Sequence, residues 1–305
     1  MANQALGLAD AVAVAVNGTV VEKRLALRAP WRWLPPQAWL APLAALDPAG
    51  DRLTPPWPDI LISCSRLAAA PARAAKRASG GKIFWVQVQD PHYARREADL
   101  IVMPRHDGNG GANAFSTLGA VHRVTPERLA DGARRFGPAL AHLKRPLVAV
   151  LLGGDSRVYR LTPERLSTLA KQLATLATQG YGLAITTSRR SGPRVASVLR
   201  QALPDAFVWS GDGENPYFGL LACADVFVVT ADSVNMVSEA AATRKPVYVA
   251  ELEGGSAKFA RFHTAMREAG VTRPFTGAIE RWTYTPPDDT ARAAAEVARR
   301  LWATR

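Results

Sequence analysis

Short runs of apolar, β-branched residues alternate along this chain with longer stretches in which Ala, Leu and Arg recur at helical spacing. This alternation is typical of βα units, in which each strand of a parallel sheet is followed by a helix that packs on it. The predicted strands are 20–27, 60–63, 83–88, 100–103, 115–118, 147–152, 182–187, 206–209, 226–230 and 247–250. The predicted helices are 4–14, 67–78, 126–143, 163–177, 193–201, 216–223, 234–243, 257–268 and 289–302. The pattern therefore predicts an α/β protein with parallel sheets flanked by helices.

The length of 305 residues suits two domains of ordinary size. A basic stretch at 142–146 leads directly into a buried-type strand, which is where a second domain would begin. We therefore expect an amino-terminal domain over 1–145 and a carboxy-terminal domain over 146–305.

Charge and hydropathy narrow the possible partners. The net charge of +12 favours anionic ligands, and the hydrophobic content of 48% argues against a disordered chain. The cationic residues are dispersed and no strand combines basic with aromatic residues, so we expect no nucleic-acid partner. No apolar run reaches the roughly 18 residues that span a bilayer, and no basic leader precedes an apolar run. We expect a cytoplasmic protein.

Several familiar catalytic motifs do not occur in the sequence. There is no G-x-x-x-x-G-K-[ST] phosphate loop, no G-x-G-x-x-G after a strand, and no H-E-x-x-H or G-x-S-x-G. No Asp-x-Asp pair occurs either, and that pair would hold a metal–diphosphate complex. We therefore expect neither a metal site nor a cofactor.

Polar loops follow four strands of the second half, at the sheet edge where open parallel sheets bind ligands. Gly153 and Gly154 would let the backbone approach a ligand closely, and the guanidinium groups of Arg189 and Arg190 match the oxygens of a phosphate.

The last of these loops leads into a helix. Either Asp232 or Ser233 would cap it, and its free N–H groups would form an anion site. Asn235 and Glu239, four residues apart, share a helix face and could hold a ribose or sugar hydroxyl. The predicted ligand-binding residues are Gly153, Gly154, Ser156, Thr187, Ser188, Arg189, Arg190, Asn215, Tyr217, Asp232, Ser233, Asn235, Met236, Ser238 and Glu239.

The letters of these loops resemble a known family. Gly-Gly-Asp-Ser at 153–156, Thr-Thr-Ser-Arg-Arg at 186–190, Glu-Asn-Pro-Tyr-Phe-Gly at 214–219 and Pro-Arg-His-Asp at 104–107 resemble the mitochondrial fission ELM-type family across nearly the whole chain. The second half is also similar to the donor domain of GT-B glycosyltransferases. The resemblance implies two Rossmann-like domains facing a cleft, with a nucleotide sugar bound by the second and an acceptor held against the first.

That resemblance implies a metal-independent, GT-B-type glycosyltransferase of cell-envelope glycan or glycolipid synthesis. A transferase needs a general base, and His106 with Asp107 is the preferred pair among the loop residues of the first half, because histidine titrates near neutral pH. Two alternatives stay open: a non-catalytic nucleotide- or phosphosugar-binding scaffold, as the plant member of the family recruits fission machinery, and, with less support, a sugar-nucleotide epimerase.

The first residues depart from the family pattern. Its members begin with a strand and a loop reading roughly Asp-Gly-x-x-Gly-His-Glu-Asn-Gln, whereas this chain begins Met-Ala-Asn-Gln. We therefore expect the first strand of the amino-terminal domain to be missing.

Tryptophans concentrate in one early segment beside arginines. Trp31, Trp33 and Trp39 accompany Arg28 and Arg32, a composition common at membrane interfaces. The segment predicts a membrane-peripheral surface for a lipid-linked acceptor, and the alternative is that the indole rings pack on the sheet.

Overall fold

A computed structural model describes residues 2–108, 111–188, 190, 191 and 193–303. The chain divides into two compact units. Met1–Arg123 and Asp288–Arg305 form the first, called the terminal unit here, and Val124–Pro287 form the second, called the central unit.

Strands and α-helices alternate over most of the chain. The strands are β1 Ile60–Cys64, β2 Phe84–Val88, β3 Leu100–Pro104, β4 Ala114–Thr117, β5 Leu147–Leu151, β6 Tyr159–Arg160, β7 Gly182–Thr186, β8 Phe207–Trp209, β9 Val226–Thr230, β10 Val247–Ala250, β11 Glu253–Gly254 and β12 Thr272–Pro274. The helices are α1 Ala2–Val16, α2 Arg66–Ala78, α3 Pro126–Leu140, α4 Pro163–Thr178, α5 Pro193–Ala202, α6 Tyr217–Cys223, α7 Val234–Ala241, α8 Ala257–Glu268 and α9 Asp289–Ala303. Strands β2, β3 and β4 follow one another without an α-helix between them. The prediction of parallel sheets flanked by helices is confirmed.

The terminal unit contains a four-stranded parallel sheet in the order β1-β2-β3-β4. The first and last helices of the chain, α1 and α9, pack against each other and cover this sheet with an apolar core that includes Leu8, Val86 and Val297. Asp289 fixes the start of α9, because its carboxylate accepts the backbone N–H groups of Leu118 at 3.1 Å and Gly119 at 2.7 Å.

The central unit contains a six-stranded parallel sheet in the order β12-β10-β9-β5-β7-β8. Strands β5 and β9, whose residues are wholly buried, lie in the middle and are therefore the near-continuous apolar runs that the sequence shows. The pair β6 and β11 forms a small antiparallel ladder.

The predicted strand at 20–27 is wrong. Residues 18–26 form no strand, and an isolated antiparallel bridge joins Leu27 to Leu46. Val20 is 40% and Val21 is 74% exposed. The charged run from Glu22 to Arg24 follows them, so this β-branched segment has no buried face to stabilise a strand.

The predicted division at 145/146 also differs from the units. Helix α3, assigned by prediction to the first domain, packs closely on α6 in the central unit. Helix α9, assigned to the second, packs on α1 in the terminal unit. The apolar faces of these helices find partners that are distant in sequence, and a boundary drawn from local composition misses such pairings.

The tryptophan segment is only partly a surface. Trp39 is buried against Ala45 and Ala70, its indole N–H donates to the carbonyl of Leu34 at 3.1 Å, and Trp31 packs against the same cluster. Trp33 is 69% exposed, with the Arg32 guanidinium 4.6 Å from its ring centroid. Trp39 is thus buried, although against Ala45 and helix α2 and not on the sheet, and the lipid-facing prediction is wrong there. No helix in the described part of the chain is long and apolar enough to cross a membrane.

Candidate functional site

The polar loops after β5, β7 and β9 meet at one edge of the central sheet. Because β5 lies between β9 and β7, the loops at its carboxyl end touch those of both neighbours. The sequence analysis expected these loops at one edge of the sheet. Direct hydrogen bonds join them there, as described below.

Asp232 joins the three loops. Its fully buried carboxylate accepts the Thr230 hydroxyl at 2.7 Å and the Gly154 N–H at 3.2 Å, and it forms an ion pair with Arg190 at 2.7 Å. The Arg190 side chain is half exposed. Asp232 thus holds Arg190 at the sheet edge, where its Nη1 also donates to the Gly154 carbonyl at 3.4 Å.

The glycine pair is needed for packing within the protein. A Cβ on Gly153 would lie 2.1 Å from the Asp232 carboxylate oxygens. Gly154 has φ +145°, and a Cβ there would lie 2.6 Å from the backbone of Arg190. The hydroxyls of Ser188 and Ser191 both donate to the Gly153 carbonyl. The close approach that the glycines permit is therefore made by Asp232, Ser188, Arg190 and Ser191.

The start of α7 is capped by Ser233. Its hydroxyl accepts the Met236 N–H at 3.3 Å, whereas Asp232 is occupied as described. The two alternatives for the cap are thus resolved in favour of Ser233. The first turn of α7 carries the positive end of the helix dipole.

Glu239 lies on α7, one and a half turns after the cap, and it is buried. The Tyr217 hydroxyl donates to its carboxylate at 2.5 Å. Burial raises the pKa of Glu239 to about 7, against the opposing effect of the Tyr217 hydrogen bond. Burial and the neighbouring carboxylate also hold the pKa of Tyr217 well above its usual value. Glu239 can therefore change protonation state near neutral pH.

Other predicted residues make local hydrogen bonds. Asn215 accepts the Tyr217 N–H at 3.0 Å, Ser238 donates to the Val234 carbonyl at 2.8 Å, and Thr187 donates to the Trp209 carbonyl at 3.2 Å. Ser156 accepts the N–H groups of residues 158 and 159 at 3.3 and 3.0 Å. Asn235 and Met236, in the first turn of α7, are partly buried. Arg189 lies outside the described residues.

The predicted catalytic pair lies in the terminal unit, in a helical turn directly after β3. The imidazole of His106 is 2% exposed, and its Nε2 is 3.6 Å from the Asp107 carboxylate, beyond a hydrogen bond. The general-base role stays a prediction, and in this conformation His106 is closed to solvent.

Sequence reasoning missed a second group of polar residues in the central unit. Helix α8 leaves a cavity of about 400 Å³ beside β10 and β12, with Tyr159, His263 and Thr272 among its walls. His263 lies within a predicted helix and Thr272 outside the predicted polar loops, so no motif in the sequence identifies them.

The fold is similar to that of UDP-GlcNAc 2-epimerases. The UDP-GlcNAc 2-epimerase of Methanocaldococcus jannaschii superposes with a TM-score of 0.54 at 13% identity, covering 81% of this chain and 77% of the enzyme. The same enzyme in complex with UDP-GlcNAc and UDP gives a TM-score of 0.51 at 10% identity, covering 81% and 76%. At these identities the likeness concerns the fold alone.

Sequence comparison gives the family. The family model for mitochondrial fission ELM1 matches residues 1–301. The mitochondrial fission protein ELM1 of Arabidopsis thaliana is 34% identical over 278 residues, which cover 80% of this chain and 64% of the plant protein. The chain belongs to the mitochondrial fission ELM1 family, as its motifs indicated, and it spans just under two thirds of the length of its Arabidopsis relative.

Proposed function

We propose that this protein binds a nucleotide sugar at the start of α7 and transfers its glycosyl group without a metal ion, as a GT-B-type enzyme of cell-envelope glycan or glycolipid synthesis. The observation that carries the proposal is the pairing of the Ser233-capped first turn of α7 with the buried Glu239 on the same helix. N–H groups and a buried carboxylate are the two partners that a diphosphate and a ribose diol require.

The chemistry assigns a role to each group. In the transfer, an acceptor hydroxyl forms a bond to the anomeric carbon while the bond from that carbon to the diphosphate oxygen breaks and leaves its electron pair on the diphosphate. The α7 amides and the exposed part of Arg190 would stabilise the charge on the leaving group. The acceptor proton would pass to a base, for which His106 and Asp107 remain the candidates.

The related solved enzyme indicates the first ligand to try. The M. jannaschii epimerase was solved in complex with UDP-GlcNAc and UDP, so UDP and its sugars are the first probes. We place the reaction in the cytoplasm, with the exposed side chains of Trp33 and Leu40, which are 69% and 94% exposed, as the residues that meet a membrane. Co-sedimentation with anionic vesicles tests that location.

Thermal shift and calorimetry with UDP-, GDP-, CMP- and ADP-sugars test the binding step. A ligand at about 100 times its Kd adds about 2.7 kcal/mol to the free energy of unfolding. We expect one nucleotide class to bind, and we expect Glu239→Gln to weaken its binding roughly tenfold, because an amide accepts fewer hydroxyl donors than a carboxylate. Glu268→Gln, at the exposed end of α8, is the matched control and should bind as the parent does.

Product analysis then separates the enzyme classes. Release of nucleoside diphosphate in the presence of an acceptor supports transfer, and an epimerised nucleotide sugar without release supports the epimerase alternative. A folded protein that shifts with no nucleotide sugar contradicts the proposal.

The scaffold alternative is favoured by a different observation. The Gly154 N–H donates to Asp232, and the Ser188 hydroxyl donates to the Gly153 carbonyl. These hydrogen bonds within the protein are what a purely structural role of the loops would require. A scaffold would bind a nucleotide without releasing any product. The thermal shift would then be positive, and the product analysis would find neither nucleoside diphosphate nor an epimerised sugar.

A further inference from the structure

A groove runs between α4 and α5 on one face of the central sheet. Helix α4 connects β5 to β7 and α5 connects β7 to β8, and because such connections are right-handed, both helices lie on the same face. They pack on each other and on the sheet. The space between them, called the α4–α5 groove here, has a volume of about 520 Å³, which falls in the range of small-molecule sites. Its lining includes Leu166, Ala170, Lys171, Ala174, Arg194 and Val198.

The groove is open because the facing sides of the two helices carry small residues. Ala170 and Ala174, four residues apart on one face of α4, have side chains too short to reach α5. Ala174 and Val198 are half-buried, so a ligand can contact both from solvent. Most of the groove surface is apolar, and from Leu166 to Ala174 it follows α4 for about 12 Å along the helix axis. The shape and polarity suit an elongated apolar chain.

The charged residues of the lining are both cationic. Lys171 on α4 and Arg194 on α5 are exposed, and neither pairs with a carboxylate in the described part of the chain. Over their whole lengths the two helices carry four cationic residues, including Arg165 and Arg200, against the single carboxylate of Glu164. Glu164 does not line the groove. The positive potential beside this apolar surface favours a ligand with an anionic group.

We propose that the α4–α5 groove binds a long-chain fatty acid, whose alkyl chain lies along Ala174 and Val198 and whose carboxylate pairs with the cationic groups of Lys171 and Arg194. A partner protein suits the groove less well, since a stable interface takes roughly 20–30 residues from each side and twelve line this one. Neither Ser233 nor Glu239 lines the groove, so the proposal stands independently of the proposed function.

The first test varies the length of the alkyl chain. Octanoate, decanoate, dodecanoate and tetradecanoate are titrated into the full chain by calorimetry, each below the concentration at which it forms micelles. We expect affinity to rise roughly tenfold for every two methylene groups until the groove is filled, and then to level off. An affinity that does not depend on chain length contradicts burial of the alkyl chain in the groove.

The second test separates the carboxylate from the alkyl chain. The parent protein should bind a fatty acid about fivefold more tightly than the alcohol of the same length, because only the acid can pair with a cation. Lys171→Gln combined with Arg194→Gln should remove that preference. Lys82→Gln combined with Arg165→Gln removes two exposed charges outside the lining and should retain it. Equal binding of acid and alcohol by the parent would overturn the assignment of the anionic group.

The third test fills the groove. Ala174→Trp places an indole where the alkyl chain would lie and should abolish binding of acid and alcohol alike. Thr175→Trp puts the same side chain at the next position, which is exposed and outside the lining, and should bind as the parent does. If Ala174→Trp unfolds the protein, Val198→Trp fills the groove from α5. Undiminished binding by a folded Ala174→Trp or Val198→Trp variant places the ligand elsewhere.

Anionic vesicles distinguish a membrane from a free fatty acid. Co-sedimentation with vesicles that Ala174→Trp abolishes, without binding of any monomeric acid, would make the groove a membrane contact and overturn the proposal. Ala174→Trp should leave UDP-sugar binding at the parent level, and Glu239→Gln should leave fatty-acid binding unchanged. Failure of the groove is thereby distinguishable from failure of the proposed nucleotide site.

Discussion

At the scale of single residues, the candidate site depends on how burial changes ordinary side chains. Glu239 is a surface type of residue held in the interior, and the Tyr217 hydroxyl offsets only part of its lost hydration. Asp232 is just as buried but has an arginine, a hydroxyl and an amide as partners. The two carboxylates thus have different tasks: Asp232 joins the loops, and burial raises the pKa of Glu239 to about 7.

The raised pKa of Glu239 predicts a pH-dependent stability. The folded protein holds this proton up to about pH 7, whereas the unfolded chain releases it near 4.5. The unfolded state therefore binds fewer protons between these values, and the free energy of unfolding should fall as pH rises through that window, by roughly 3 kcal/mol at most. Denaturant unfolding at pH 4.5, 6 and 8 measures it.

Glu239→Gln provides the comparison for that measurement. Its amide does not titrate, so the contribution should vanish and the variant should gain stability relative to the parent at pH 8. An equal decline with pH in parent and variant would contradict the buried-carboxylate assignment. Ligand hydroxyls donate to the ionised carboxylate, which forms in the folded protein around pH 7, so nucleotide affinity should rise as the pH passes through about 7.

At the scale of elements, the crossing of α3 and α6 depends on two glycines. A Cβ on Gly132 would lie 2.6 Å from the backbone carbon of Phe218, and one on Gly219 would lie 2.5 Å from the Cβ of Phe136. The helix axes can approach closely because neither glycine has a side chain. This crossing holds α6, and with it Tyr217, against α3 within the central unit.

Gly132→Ala should therefore destabilise the protein by about 1–3 kcal/mol, since neither backbone can move aside cheaply. Gly137 lies in the same helix, and a Cβ there meets nothing within 4 Å. Gly137→Ala should change the free energy of unfolding by less than about 1 kcal/mol. Chemical denaturation of both variants measures the difference, and equal effects would show that the crossing tolerates a methyl group.

At the scale of the whole molecule, chain order and unit membership differ. The terminal unit takes α9 from the end of the chain, and four of its buried residues, Ala293, Ala294, Val297 and Leu301, complete the core beneath α1. The central unit begins with α3. A fragment is expected to fold only when it keeps these helix pairs.

Fragments cut at the two alternative boundaries distinguish them. Residues 124–287 keep α3 with α6 and should unfold cooperatively on heating. Residues 146–305 lack α3 and carry α9 without its partner, so they should show a broader, lower transition and bind dyes that report exposed apolar surface. Circular dichroism and dye fluorescence measure both, and a sharper transition for 146–305 would restore the boundary at 145/146.

How much was predictable follows from how local each signal is. The apolar runs at β5 and β9 predicted strands because a run of apolar, β-branched residues is a property of neighbouring positions. The failed strand at 20–27 shares their β-branched residues but includes the charged run at 22–24, and it has no face to bury, which a β-branched pattern does not show. The polar loops were found because their residues are consecutive in the sequence. Their mutual hydrogen bonds were missed because they join residues that are distant in the sequence.

The sequence by itself determined the α/β class, the family and the loops that gather at the edge of the central sheet, because alternation, turn residues and motifs are written in consecutive positions. The tertiary structure decided that α9 completes the terminal unit, that Asp232 fills the space beside Gly153, and that His263 and Thr272 share a cavity. Those outcomes depend on contacts between residues far apart in the chain, and such contacts exist only once the helices and strands have packed.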